Sequence, residues 1–228
     1  MDEDIETYTN MADIAAHHIQ AMQQIQPHGP YFIGGHSFGG KVAFEIATQL
    51  QNQGEEVSLL AIMDIQVPVA EQEKDAIHWH DSKYIISLAK MFERSFAQTL
   101  DLPSNLDSFS VDEQINLLFL AFKKIDLVFG ETELKRLFRV YKANLQAMIQ
   151  YVPKTGYNNQ IILLRASEVH PEDDFLPDAA MTAKDPTWGW NQLSGQPLDC
   201  QIVNGNHFTM MTEPNVQLLA QKLSKYFL

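Results

Sequence analysis

Apolar and polar positions alternate in ways that divide the chain into two kinds of region. Met11, Ile14, Ala15, His18, Ile19, Met22 and Ile25 recur at helical spacing, which predicts an amphipathic helix over 11–25. Pro27-His28-Gly29-Pro30 ends it. Tyr31-Phe32-Ile33-Gly34 predicts a short buried strand. A second helix is expected from about Ser37 to Gln53, with Val42, Ala43, Ile46, Ala47 and Leu50 on its apolar face and Gly54 as its stop. Val57–Met63 is apolar on both faces and ends at Asp64, the pattern of a central strand in a parallel sheet.

From about 70 to 150 the strand rhythm disappears. Helices are predicted near 82–98, 111–128 and 131–151, the second opening at Ser110 with Glu113 three residues on, a capping-box spacing. Strands resume at Gln160–Ala166 and Leu198–Val203; Gly205-Asn206-His207 follows, then a last helix over 214–227. Strands alternating with helices predict an α/β fold, a mostly parallel sheet with helices on both faces. The helical block reads as a lid inserted over the carboxyl ends of the strands. A single domain is expected over 1–228, with a core of 1–69 and 152–228 and an insertion of about 70–151.

Composition narrows the function classes. Of 228 residues 45% are hydrophobic, enough for a sizeable core. A net charge of −13 repels phosphate backbones and anionic lipid, which argues against nucleic-acid and membrane partners. Cys200 is the only cysteine, so neither an intrachain disulfide nor a Cys-rich metal site forms, and a reducing, cytoplasmic setting fits. No metal-ligand spacing or dinucleotide glycine pattern occurs. The acidic start Met1-Asp2-Glu3-Asp4-Ile5-Glu6 lacks the apolar core of a signal peptide.

Gly35-x-Ser37-x-Gly39 lies between a predicted strand and a predicted helix. That is the setting of a nucleophile elbow, a turn so tight that the serine is strained and side chains at 35 and 39 are expected to collide with neighbouring chain. The helix start would aim the amide of Phe38 at a developing oxyanion. A serine nucleophile needs a base, and the base needs an orienting carboxylate, in the chain order Ser, Asp/Glu, His. Of the downstream histidines His78, His80, His170 and His207, only His207 follows the last strand in a loop able to reach back over the sheet. The acid is either Asp64, at the tip of the strand after the elbow helix, or Glu168, Asp173 or Asp174 after the next strand. Phe92, Phe96, Phe119, Phe122, Phe129, Phe138 and Tyr141 could line an acyl channel, though helix packing explains their spacing more simply. Trp188-Gly189-Trp190 is expected to pack near the His207 loop.

Three segments carry a family resemblance: Gly-Gly-His-Ser-Phe-Gly-Gly-Lys-Val-Ala-Phe-Glu at 34–45, Leu-Ala-Ile-Met-Asp at 60–64 and Gly-Asn-His-Phe-Thr-Met-Met at 205–211. They resemble the thioesterase domains that end non-ribosomal peptide synthetases and modular polyketide synthases, an α/β-hydrolase family. The likeness is strong over 29–66 and 157–228 and weak in the helical block, which in this family is a variable lid. It implies the triad Ser37, Asp64 and His207, since members place the acid after the strand that follows the elbow helix. Stand-alone editing thioesterases usually carry it one strand later. The resemblance further implies a substrate presented as a thioester on the phosphopantetheine of a carrier domain, with no cofactor bound by this domain itself. The product would be released by hydrolysis or cyclisation. A complete α/β-hydrolase has three or four strands before the helix at 11–25, so the first strands are expected to be missing, with the loop that supplies a second oxyanion amide. The alternatives are a stand-alone editing thioesterase, another serine esterase or lipase, and a non-catalytic binding domain on the same fold.

Overall fold

A computed structural model describes residues 7–67, 79–127, 129–169 and 179–227. Helix α1, Met11–Ile25, is capped by Asn10, whose side chain accepts from the Asp13 amide. Met11, Ile14, Ala15 and Ile19 form its buried stripe. The stripe is narrower than the spacing predicts, because His18 is exposed and Ile25 is 89% exposed. Strand β1, Tyr31–His36, leads through Ser37 into α2, Phe38–Asn52, and β2, Val57–Met63, follows. Then come α3 (Asp81–Phe96), α4 (Val111–Lys124) and α5 (Glu131–Gln150). Strand β3 (Ile161–Ala166), α6 (Ala179–Lys184), β4 (Asp199–Val203) and α7 (Asn215–Ser224) complete the order. The six-residue α6 is absent from the sequence prediction, since so short a segment shows no full period of apolar positions.

The four strands form one parallel sheet in the order β1-β2-β3-β4. Parallel neighbours need crossovers, which is why a helix or helical block lies between each pair. Leu60 registers with Ile161 and Ile62 with Leu163. On the opposite face Ala61 and Met63 register with Ile162 and Leu164, and there Leu219, Leu223 and Tyr226 at the end of the chain cover the sheet. Both faces are apolar, as a parallel sheet packed on both sides requires. Among the described residues β1 and β4 are its edges.

The chain divides into two compact units. One holds the sheet and comprises 10–69 and 151–228; the other comprises 1–9 and 70–150. The helical unit has its own core of Tyr84, Ile85, Leu88, Phe92, Leu118, Phe122, Leu134 and Phe138. Phe119, Phe129 and Tyr141 pack against it, while Phe96 is 50% exposed. Six of the seven aromatics thus pack within the helical core, and Phe96 is the exception. The Ser110–Glu113 capping box forms as its spacing predicts.

Candidate active site

The elbow begins with sterics. β1 delivers the chain to Ser37, whose amide bonds the Met63 carbonyl at 2.9 Å. Ser37 turns at φ 54° and ψ −129°, and α2 starts at Phe38. A non-glycine residue at positive φ is strained, and such strain gathers where function needs it. A Cβ on Gly35 would lie 1.9 Å from the Gly39 carbonyl oxygen, so position 35 admits only glycine. The expected collision at 39 does not occur: a Cβ there meets nothing within 4 Å among the described residues. The second tight position is Gly40, where a Cβ would stand 2.8 Å from Ile65 and 3.1 Å from the Gly35 carbonyl. The elbow thus crosses its own chain at 35 and 40. Phe38 is the first residue of the helix, where an amide has no intrahelical acceptor.

Asp64 ends β2 with φ 52° and is fully buried. Its Oδ1 accepts from the Ala166 amide at 2.7 Å, and its Oδ2 is 2.8 Å from His207 Nδ1. Both carboxylate oxygens are thereby engaged, which a buried carboxylate requires. His207 Nε2 is 2.9 Å from Ser37 Oγ. Ser37, His207 and Asp64 form one continuous hydrogen-bonded line. His207 itself is buried at 3% exposure.

The loop that brings His207 there is built by Asn206 and Gly205. The Asn206 side-chain oxygen accepts from the amides of Phe208 and Thr209, each at 3.0 Å. Thr209 Oγ1 accepts from the Asn206 amide at 2.9 Å. Gly205 takes φ 95°, and a Cβ there would reach 2.6 Å from Thr209. The carbonyls of Val203 and Gly205 accept from the amides of Ser167 and Glu168. This reciprocal Asn-Thr capping is a local signal in the sequence.

The other candidates go elsewhere. Glu168 contributes its backbone to the His207 loop while its side chain is exposed. His80 precedes α3 in the helical unit. His78, His170, Asp173 and Asp174 lie outside the described residues. The tryptophan segment clamps the acid's strand end rather than the His207 loop. Trp190 Nε1 donates to the Ile65 carbonyl at 2.7 Å, its ring packs on Phe44, and the Trp188 carbonyl accepts from the Val67 amide. An indole donor finds its acceptor through space, so sequence spacing gives no hint of this contact. Among the described residues no group of His, Cys, Asp or Glu could hold a metal ion, and no helix is long and apolar enough to cross a membrane.

Comparison with known proteins gives this geometry a family. Residues 1–226 match the thioesterase domain family. Chondramide synthase of Chondromyces crocatus is 27% identical over 223 residues, 95% of this chain and 6% of that protein. A dimodular nonribosomal peptide synthase of Bacillus subtilis is 32% identical over 178 residues, 73% of this chain and 7% of that protein. Among solved structures, a four-domain nonribosomal peptide synthetase bound to AMP and glycine superposes with a TM-score of 0.82 at 26% identity, over 98% of this chain and 16% of that one. The chain thus spans a small fraction of these relatives' length. Fold, family match and relatives agree, and the chain belongs to the thioesterase domain family, on an α/β-hydrolase fold.

Proposed function

We propose that this domain releases an acyl or peptidyl chain from the phosphopantetheine thioester of a carrier domain through an ester on Ser37. The observation that carries the reading is the hydrogen-bonded line from Asp64 through His207 to Ser37. Asp64 accepts from Nδ1–H and so leaves Nε2 free to take the serine proton. Ser37 Oγ attacks the thioester carbonyl, and the Phe38 amide donates to the oxyanion. The carbon–sulfur bond breaks, and the imidazolium of His207 returns its proton to the departing thiolate. A water, or a nucleophile within the acyl chain, then loses a proton to His207 and displaces Ser37, giving a free acid or a ring. The carrier brings the phosphopantetheine, so the domain needs no cofactor of its own. That relatives are synthetases supports the carrier setting. The helical unit corresponds in this reading to the family's variable lid region.

The test is a rate comparison between an acyl N-acetylcysteamine thioester and the matched oxygen ester. Faster turnover of the thioester, abolished in Ser37→Ala, is expected. A preference for the oxygen ester would make the domain an esterase, and full activity in Ser37→Ala would overturn the nucleophile.

A further inference from the structure

We propose that His36, the residue before the nucleophile, is a positioning residue for this acyl transfer, its ring packed against the His207 imidazole and holding it in line between Ser37 and Asp64. The proposal rests on the triad reading above and adds a residue to it.

The two imidazole rings lie with centroids 4.5 Å apart and planes 34° apart. The rings are tilted against each other, at the short end of the separations found for aromatic pairs. Phe208 meets the His207 ring edge-on, at 5.3 Å and 87°. Histidine's outer torsion is broad and defines no orientation by itself. The two hydrogen bonds of His207, at 2.8 and 2.9 Å, need their donors and acceptors nearly in the ring plane. A ring against one face and a second at its edge remove the rotation that would break both bonds together.

The chemistry of His36 suits the task. Its Nε2 is buried without a hydrogen-bond partner among the described residues. Burial pushes its pKa down to about 4, the charge of His207 acts in the same direction, and the Asp64 carboxylate and a hydrogen bond to the His207 backbone oppose them. His36 therefore stays neutral near neutral pH, when His207 takes the proton of Ser37. A neutral ring can stack on an imidazolium, whereas a second cation would repel it. His36 also directly precedes Ser37, so a shift of the elbow carries the nucleophile and the support of its base together. Asp64, at the end of β2, is the charged group that faces both rings.

The experiment uses a fluorophosphonate to count reactive Ser37 sites. Kinetics on an acyl N-acetylcysteamine thioester follow for wild type, His36→Phe, His36→Leu and His36→Ala, and melting curves are recorded for each. His36→Phe keeps a stacking ring, and its kcat per labelled site is expected within about 3-fold of wild type. His36→Leu and His36→Ala lose the ring, and kcat per labelled site should fall about 10- to 100-fold, the effect of a small misplacement of a catalytic group. KM should stay within about 2-fold throughout, because substrate binding is untouched. A role in folding alone would lower the melting temperature and leave kcat per labelled site equal. Wild-type kcat in His36→Leu, or equal losses in His36→Phe and His36→Leu, would overturn the proposal. Absence of fluorophosphonate labelling in the wild type would instead overturn the triad reading.

Discussion

In the sheet-bearing unit non-glycine residues at positive φ are Ser37 (φ 54°), Asp64 (φ 52°) and Trp188 (φ 51°); in the helical unit they are Ala97 (φ 51°) and Asp126 (φ 57°). The φ values are alike, but ψ is −129° at Ser37 and 41° at Ala97, and the consequences differ. Ala97 and Asp126 lie where α3 and α4 end, and their amides bond the carbonyls of Glu93 and Lys123. A left-handed residue there closes the last turn of a helix. Ser37 and Asp64 instead leave neighbouring parallel strands at one end of the sheet, and both bond the same imidazole. Each such residue costs roughly 1–3 kcal/mol. In the helical unit the strain ends an element, while at Ser37 and Asp64 it turns two side chains onto one imidazole.

The largest effect expected from this contrast is chemical. Asp64→Asn keeps the shape and disturbs the tautomer of His207, so kcat on the thioester should fall about 10⁴-fold with little change in melting temperature. A fall below 10-fold would mean that Asp64 is structural, like Asp126. In the helical unit the largest effect should be on stability. Phe122→Ala empties a fully buried position and should cost about 3–5 kcal/mol in chemical denaturation, while Ser37 of the folded protein labels at the wild-type rate. Labelling that falls in step with stability would show that the two units do not divide these tasks.

A smaller effect is set by pH. Folded His36 has its pKa lowered to about 4, while the unfolded chain binds a proton near the ordinary histidine value of 6.5. Between those values the unfolded state holds more protons, so stability is full above about 6.5 and is lost as pH falls toward 4. The loss attributable to this group is on the order of 3 kcal/mol. His36→Phe should therefore lose less stability than wild type between pH 7 and pH 4.5, and parallel curves would contradict the burial of a neutral ring. The smallest effect belongs to the elbow's open glycine. Gly39→Ala should change the melting temperature by no more than a few degrees, whereas Gly40→Ala, pressed on Ile65, should produce little folded protein.

Much of this was legible because it follows from local rules. The apolar faces of α2 and β2 give those elements nearly to the residue; the elbow pattern and the loop after the last strand mark Ser37 and His207, and the family resemblance picks Asp64, the third side chain that the fold brings together with them. What the sequence hides is contact through space. Gly40 rather than Gly39 is tight because Ile65, beyond the end of β2, comes up against it. Trp190 braces Ile65 across a sequence gap that no periodicity spans, and the Ala166 amide reaches Asp64 from the neighbouring strand. His36 shows in the sequence as one letter of a motif; that its ring lies on His207 follows only from the loop after β4 bringing His207 to the elbow.

Trapping the acyl-enzyme tests the central claim most directly. The domain is mixed with an acyl N-acetylcysteamine thioester, quenched in acid within milliseconds and mapped by peptide mass spectrometry. One acyl group, esterified to Ser37, is expected, formed in a burst that His207→Ala abolishes. An acyl group on another residue, or an undiminished burst in His207→Ala, would contradict it.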